Sequence, residues 1–551
     1  MMSLDRRPRV VIVGSGPSGL AAAIELGARG IACLILERNV RAGFAPRAKT
    51  TNIRTREHLR RWGIADKLAA ASPFGVDYPP NVLFVTRLNG KLITRFEGAL
   101  GCDPRRDDRY SEHGQWIPQY KLEAVLKEHA VSLSGVELRY GSEFVGLEQD
   151  CNLVRVRVRD VASGEEQVIE ADYLIGADGA RSNVRDSIGA TMVGTYGLSR
   201  NYNTIFRAPG LSEANPHGPA IMILQVNGDA PSLIGPMDQG DLWYFMPTNI
   251  PHGVTYSPEE TLDLIKLSTG MDGPFEILSS DEWVASRFLA DRYARGRVFL
   301  VGDSCHLHPP FGGYGMNMGI ADSVDIGWKI AAVLQGWGRS ALLDSYEAER
   351  RPAHEFVLDE AEANHAASPN LLYRPGIEDE GEEGDRIRRE VAEVIERTKR
   401  AEFFAPGVVL GYCYQDSPVV IGDGSPRWRR TRDYVPCGAP GCLAPHRWMD
   451  DGRSLYDLLG PGFTLLAFTN DEQGDDDDIA AARREAEVSG TPLTVLTFED
   501  EALRQQYGAR RALIRPDQHI AWRGARWPEG ADVLLKVTGR EAICSDSVQA
   551  A

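Results

Sequence analysis

No stretch of this sequence is apolar for the ~20 residues that a membrane-crossing helix needs, and the mean hydropathy of -0.28 is that of an ordinary globular chain. Positive charge is also in deficit. Sixty-one Lys and Arg against 78 Asp and Glu leave a formal net charge of -17 and a pI near 5.2. Such a chain repels nucleic-acid phosphates and anionic lipid, so small-molecule chemistry is the expectation. Cysteine is sparse, with eight residues, no dense framework and no C-x-x-C pair, which reads as reduced thiols without a disulfide-exchange motif. The opening MMSLDRRPRVVIVGSG sets basic residues before an apolar run too short for a signal peptide. A cytoplasmic protein is expected. Its 551 residues leave room for two or three domains.

Glycine, by contrast, is concentrated where it carries information. Arg9–Val13 reads as a strand, Gly14-Ser15-Gly16-Pro17-Ser18-Gly19 opens an alanine-rich helix, and Ile31–Leu36 reads as a second strand ending at Glu37 and Arg38. This is a dinucleotide-binding βαβ fingerprint in its proper context. Gly14 suits the tight turn, Gly16 lets a pyrophosphate reach the backbone, Gly19 lets helix and strand pack closely, and Glu37 can hold a ribose hydroxyl pair. A carboxylate there repels a 2′-phosphate, which favours FAD or NAD over NADP as the bound dinucleotide.

A second apolar strand, Tyr173–Ala177, leads into Asp178-Gly179-Ala180-Arg181-Ser182. A third, Val298–Val301, is followed by Gly302-Asp303, two prolines, and Gly312, Gly313 and Gly315 before a helical segment from Met316. Asp303 can accept hydrogen bonds from ribityl hydroxyls but would repel phosphate. The glycines let backbone approach a planar ring, and the amides near Met316 and Asn317 would offset negative charge on it. Asp303 and its loop therefore select FAD.

These three motifs, in this order, resemble those of the single-component FAD-dependent aromatic hydroxylases, the group that includes p-hydroxybenzoate and phenol hydroxylases. The resemblance spans nearly the whole chain. It implies an α/β protein: a Rossmann-like FAD-binding domain, a mixed β-sheet substrate domain and a thioredoxin-like C-terminal domain. The expected boundaries are 1–190 for the first part of the FAD domain, 191–290 for the substrate domain, 291–400 for the rest of the FAD domain with a helical linker, and 407–551 for the last unit. By the same resemblance, Asp178 lies between FAD and the nicotinamide route, and Arg47 contacts the ribose-phosphate region. Gln119 faces the ribose and ribityl chain, and Pro310 offers its carbonyl near the reactive face of the ring. Pro310 and Lys49 are the candidate catalytic residues. Lys49 stands where relatives often have a small residue, so its role is open between a substrate contact and a lysine in solvent.

The resemblance further implies NADPH or NADH and O₂ as co-substrates, and hydroxylation of an electron-rich ring, a phenol or hydroxypyridine, through a flavin C4a-hydroperoxide. The alternatives are a flavin-dependent halogenase, an NAD(P)H oxidase, or a non-enzymatic flavin or aromatic-ligand binder. Of the halogenase W-x-W-x-I-P motif, only Trp116-Ile117-Pro118 is present. Strands expected over Asn203–Arg207, Ile221–Val226 and Leu242–Met246 would roof the flavin, with Gln225, Trp243 and Phe245 as candidate substrate contacts. By the two-residue strand period, Leu242, Tyr244 and Met246 would face the other way. Leu233–Pro247 has no arginine, which argues against a carboxylate clamp. No metal is expected: His306 and His308 lack acidic or sulfur partners nearby in sequence, and Cys437, Cys442 and His446 lack a fourth ligand. The charged run Ile377–Lys399 reads as a surface helix or linker. A homodimer is compatible with the sequence.

Overall fold

The computed structural model describes residues 7–40, 48–248, 250, 253–366, 372–469, 475–528, 530 and 532–540. Its first sheet runs, in spatial order, Ala294–Arg295, Val298–Leu300, Tyr173–Gly176, Val10–Val13, Cys33–Glu37 and Val136–Tyr140. All neighbours are parallel except the outermost Ala294–Arg295 pairing. The central strands are continuous apolar runs because helices cover both faces of a parallel sheet. Their carboxyl ends carry the three motif loops. Helices Pro17–Gly27 and Gly315–Leu334 cross closely, since a Cβ on Gly319 would stand 2.5 Å from Ser18 Oγ, and a Cβ on Gly19 would stand 2.0 Å from the carbonyl oxygen of Gly14 in the preceding turn. Among the described residues, no helix is long and apolar enough to cross a membrane.

The second sheet has eight strands, ordered His306–Leu307, Glu276–Ala290, Met192–Arg207, Leu242–Pro247, Ser232–Pro236, Met222–Gln225, Val82–Val85 and Leu92–Phe96. The three expected strands are present. Three more arrive from outside 191–290, because sheet membership is decided by long-range backbone pairing: Met222–Gln225 pairs in parallel with Val82–Val85. A two-stranded ribbon, Thr50–Thr51 against Gln115–Trp116, lies apart from both sheets.

The charged run at 377–399 is no linker. It lies largely within helix Gly381–Phe403, whose apolar stripe of Ile387, Val391, Ile395 and Phe403 packs against Val82, Phe84 and Phe96. The last unit holds a four-stranded sheet, ordered Leu493–Phe498, Phe463–Phe468, Arg511–Ile514 and Ile520–Gly524, parallel in its first pair and antiparallel in the others.

Candidate functional site

At the nucleotide end, Gly14 has φ +105°, and a Cβ there would stand 2.3 Å from the Ala177 carbonyl oxygen, so the turn itself demands glycine. Gly16 is different. A Cβ on it would meet nothing within 4 Å, and no side chain caps the helix it opens. The first-turn N–H groups of Pro17–Gly27 therefore face open space, the setting that binds a pyrophosphate. Glu37 is half-buried at its strand end, accepting from Ser15 N at 3.1 Å, Ser15 Oγ at 2.9 Å and Asn39 N at 2.9 Å. Arg38 is exposed beside it. Pro46 and Arg47 lie outside the described residues.

Asp178 accepts from Ser182 Oγ and, at 3.1 Å, from Val184 N, so its carboxylate shapes its own loop. Burial pushes that carboxyl up, against the opposing effect of these hydrogen bonds. Asp303 projects into the open while Gly302, Ser304 and Cys305 around it are buried. Beneath this loop, the fully buried Asp322 accepts from Gly302 N at 3.1 Å and from Arg350 Nε at 2.8 Å, with His306 Nε2 at 2.9 Å and His354 Nε2 at 2.8 Å. Burial alone would raise its carboxyl; His354 and Arg350 outweigh that and hold it well below the usual carboxylate range. Burial drives His354 down to about 3. His308 Nε2 lies 3.1 Å from His354 Nδ1, so the imidazoles of His306, His308 and His354 converge. Their Nε2 atoms are committed to Asp322 or to each other.

Pro310 is exposed at the start of the glycine loop. Gly312 and Gly313 have φ of +87° and +68°, so the turn fixes both. Gly315 carries no such requirement: a Cβ would find only the His308 Cβ, at 3.7 Å. Asn317 uses its side chain as a clamp, donating to the Thr50 carbonyl at 2.9 Å and the Gly313 carbonyl at 2.7 Å and accepting from Asn52 N at 2.9 Å. Met316 is half-buried beside it. Gln119 accepts from Ala48 N at 3.1 Å and donates to Glu123 at 2.7 Å, holding the segment that carries Lys49.

Lys49 lies beside an aromatic chamber walled by Tyr244, Trp116 and Phe74. Its Nζ lies 4.1 Å above the Tyr244 ring, no carboxylate pairs with it among the described residues, and burial lowers it to about 8. Tyr244 packs 6.5 Å from Trp116 and donates to the Ile221 carbonyl at 3.1 Å. Trp116 and Ile221 also line a small cleft with Phe74, Tyr78, Cys102 and His113. The three candidate substrate contacts on the sheet are not here. Trp243 and Phe245 pack on the opposite face with Leu83, Phe206 and Ile265. Gln225 is fully buried, donating to Ser232 Oγ at 2.9 Å, and shares that face with Ile223. The reason is the helix Pro258–Thr269, which covers this face and leaves the Tyr244 face to the chamber. Tyr244 and Asp322 are the site residues that sequence pattern did not single out. A carboxylate inside the apolar Gly315–Leu334 helix is the signal that marks Asp322.

The donor set suits FAD. Gly16 and Gly315 are glycines that the fold does not itself require, and each keeps open a space that a Cβ would fill. Residues 7–361 match the FAD binding domain family and residues 438–540 the aromatic-ring hydroxylase C-terminal family. The chain belongs to the FAD-dependent aromatic-ring hydroxylases. It is 34% identical to FAD-dependent monooxygenase apdD of Emericella nidulans, over 96% of this chain and 89% of that protein. It is 31% identical to the 2,4-dichlorophenol 6-monooxygenase of Delftia acidovorans, over 97% and 98%. Among solved structures, the flavin-dependent monooxygenase PieE in complex with FAD and substrate superposes with a TM-score of 0.87 at 30% identity, covering 98% of this hydroxylase and all of that chain. This hydroxylase is a FAD-dependent monooxygenase with an aromatic substrate.

Proposed function

We propose that this monooxygenase hydroxylates a phenolic ring, with NADPH or NADH as reductant and O₂ as oxidant, and that Lys49 engages the phenolic oxygen. The observation that carries this reading is an ammonium with no carboxylate partner among the described residues, lowered by burial to about 8, above the Tyr244 ring beside a largely aromatic chamber. A cation in contact with a phenol favours the phenolate, the electron-rich form that an electrophilic oxygen attacks. The chlorophenol specificity named for the Delftia relative supports the same substrate class. FAD, when bound, supplies hydride acceptance and oxygen transfer.

The chain's own residues do the rest. The open amides behind Gly16 hold the pyrophosphate, Glu37 the ribose, and Asp303 the ribityl hydroxyls. Gly312 to Asn317, with Pro310, form the wall against the ring. Tyr244, Trp116 and the sheet behind them exclude water from the reacting atoms. We also read the C-terminal sheet as thioredoxin-like, on the strength of its one parallel and two antiparallel pairings.

The test is a screen of phenols and hydroxypyridines with the flavin-loaded enzyme under ¹⁸O₂. The expected product gains one labelled oxygen on the ring, with NAD(P)H oxidation stimulated by the same compound. Turnover that yields only hydrogen peroxide with every ring, or chloride-dependent products, would overturn the proposal.

A further inference from the structure

Three cysteines that are remote or loosely spaced in sequence converge outside the FAD site. Cys413 follows the short Pro406–Leu410 helix, while Cys437 and Cys442 bracket the loop Cys437-Gly438-Ala439-Pro440-Gly441-Cys442. Cys442 Sγ donates to Cys413 Sγ at 2.9 Å, and Cys437 Sγ is the second sulfur to which its single proton can turn. A disulfide is ~2.05 Å long, so the first pair is within about 1 Å of bonding distance. Cys442 is buried; Cys413 and Cys437 are partly open to solvent.

The loop is held by its neighbours and by its own turn. A Cβ on Gly438 would stand 2.5 Å from Tyr507 Cα, and Gly441 has φ +89° with its N–H donating to the Ile520 carbonyl at 2.7 Å. Cys442 N closes the turn onto the Ala439 carbonyl at 3.1 Å, and Tyr414 N donates to the Gly441 carbonyl at 2.8 Å, pinning Cys413 alongside. His446, by contrast, is turned away to Ser454 Oγ at 2.9 Å, so these thiols do not share a metal site with it.

We propose that Cys437, Cys442 and Cys413 form a peroxide-responsive thiol relay that ends as a Cys413–Cys442 disulfide. The oxidant is hydrogen peroxide. The Cys437 thiolate attacks one peroxide oxygen, giving Cys437 sulfenic acid and hydroxide. Cys442 Sγ then attacks that sulfur; its proton and the hydroxyl leave as water, and the Cys437–Cys442 disulfide forms. Finally, the hydroxide released in the first step takes the Cys413 proton as the second water, Cys413 Sγ attacks Cys442 Sγ, and Cys437 departs as thiolate. In sum, two thiols and one peroxide give one disulfide and two waters. The order follows from the environment of each sulfur. The Cys442 proton, when it turns from Cys413 to Cys437, and the Ala439 amide, with Arg523 nearby outweighing Asp423, draw Cys437 down to about 6 despite its partial burial. It is therefore the thiolate at neutral pH and, in the last step, the best leaving group. Cys442, between two sulfurs and buried, is held up as the thiol.

The relay is tested on the flavin-loaded enzyme, given a small excess of hydrogen peroxide at pH 7, alkylated, and digested without reductant for mass spectrometry. The expected result is loss of two thiols, a Cys413–Cys442 cross-link with Cys437 still alkylatable, and full reversal by dithiothreitol. Cys437→Ser should slow cross-linking at least ~10-fold, and Cys413→Ser should halt at a Cys437–Cys442 link. Cys151→Ser, which removes an exposed thiol elsewhere, should change nothing. Oxidation that spares all three cysteines, or a cross-link that forms at the wild-type rate in Cys437→Ser, overturns the relay. Should Cys437→Ser fail to retain flavin, the wild-type enzyme decides: iodoacetamide at pH 7 must label Cys437 before Cys413, and the reverse order overturns the proposal.

Discussion

Lys49 shows how one side chain can carry chemistry that burial makes available. Its ammonium sits over an aromatic face, which offsets only part of the desolvation cost, and it falls from the usual lysine range to about 8. Lys49→Met should keep its flavin, because Lys49 lies on the chamber side of the ring site, yet lose phenol hydroxylation by about 100-fold. Steady-state assay beside flavin absorbance checks both. The same shift has a signed consequence for folding. Between pH ~8 and ~10.4, the unfolded chain binds the Lys49 proton and the folded chain does not, so this group makes stability rise with pH across that window. Urea melts at pH 7 and pH 10 should show a smaller gain for Lys49→Met than for the wild type.

At the scale of elements, the decisive contrast is between glycines that serve the fold and glycines that serve the ligand. Gly319, where a Cβ would stand 2.5 Å from Ser18 Oγ and 2.8 Å from Gly302 Cα, locks the Gly315–Leu334 helix against Pro17–Gly27. Gly315, at the start of the same helix, has room for a Cβ in the protein alone. Alanine favours a helix over glycine by up to ~1 kcal/mol. Gly315→Ala should therefore leave the flavin-free protein at least as stable as wild type by thermal melting, while FAD binding weakens at least ~10-fold because the Cβ occupies ring space. A variant that binds FAD normally would show that Gly315 does not border the flavin.

For the whole molecule, the last unit is tied to the FAD unit by buried charge. Arg515 pairs with Glu349 at 2.6 Å, Asp517 at 2.6 Å and Asp325 at 3.2 Å, while Lys329 reaches Glu349 at 2.6 Å and Arg54 donates to the Asp517 carbonyl at 2.6 Å. Removing one partner of such a network leaves uncompensated charge, at a cost of about 3–5 kcal/mol. Arg515→Met should lower the melting temperature accordingly. Burial alone would raise Glu349, but Arg515 and Lys329 hold it to about 2. A depressed carboxylate stabilises the fold above its unfolded value and loses that contribution as pH falls through its folded value. The gap between wild type and Arg515→Met should therefore narrow as pH drops from about 4.5 towards 2, measured by denaturant titration.

How far these features could be read in advance depends on their range along the chain. The turns that carry Gly14, Gly16, Gly19, Glu37, Asp178 and Asp303 were legible because each is a strand–turn–helix unit of a few residues, where backbone conformation and apolar periodicity act locally. The strands over Asn203–Arg207 and Leu242–Met246 were legible for the same reason. That Trp243 and Phe245 share one face and Tyr244 the other was legible, but a two-residue period never says which face a distant helix will cover. Pro258–Thr269 made that choice. Lys49's burial, the Asp322 hub and the meeting of Cys413 with Cys442 likewise join segments far apart in sequence. The sequence by itself determined that FAD is held and where each local turn must bend. Only the tertiary structure decided which sheet face a helix covers and which thiols meet, since those outcomes depend on packing between elements that share no local signal.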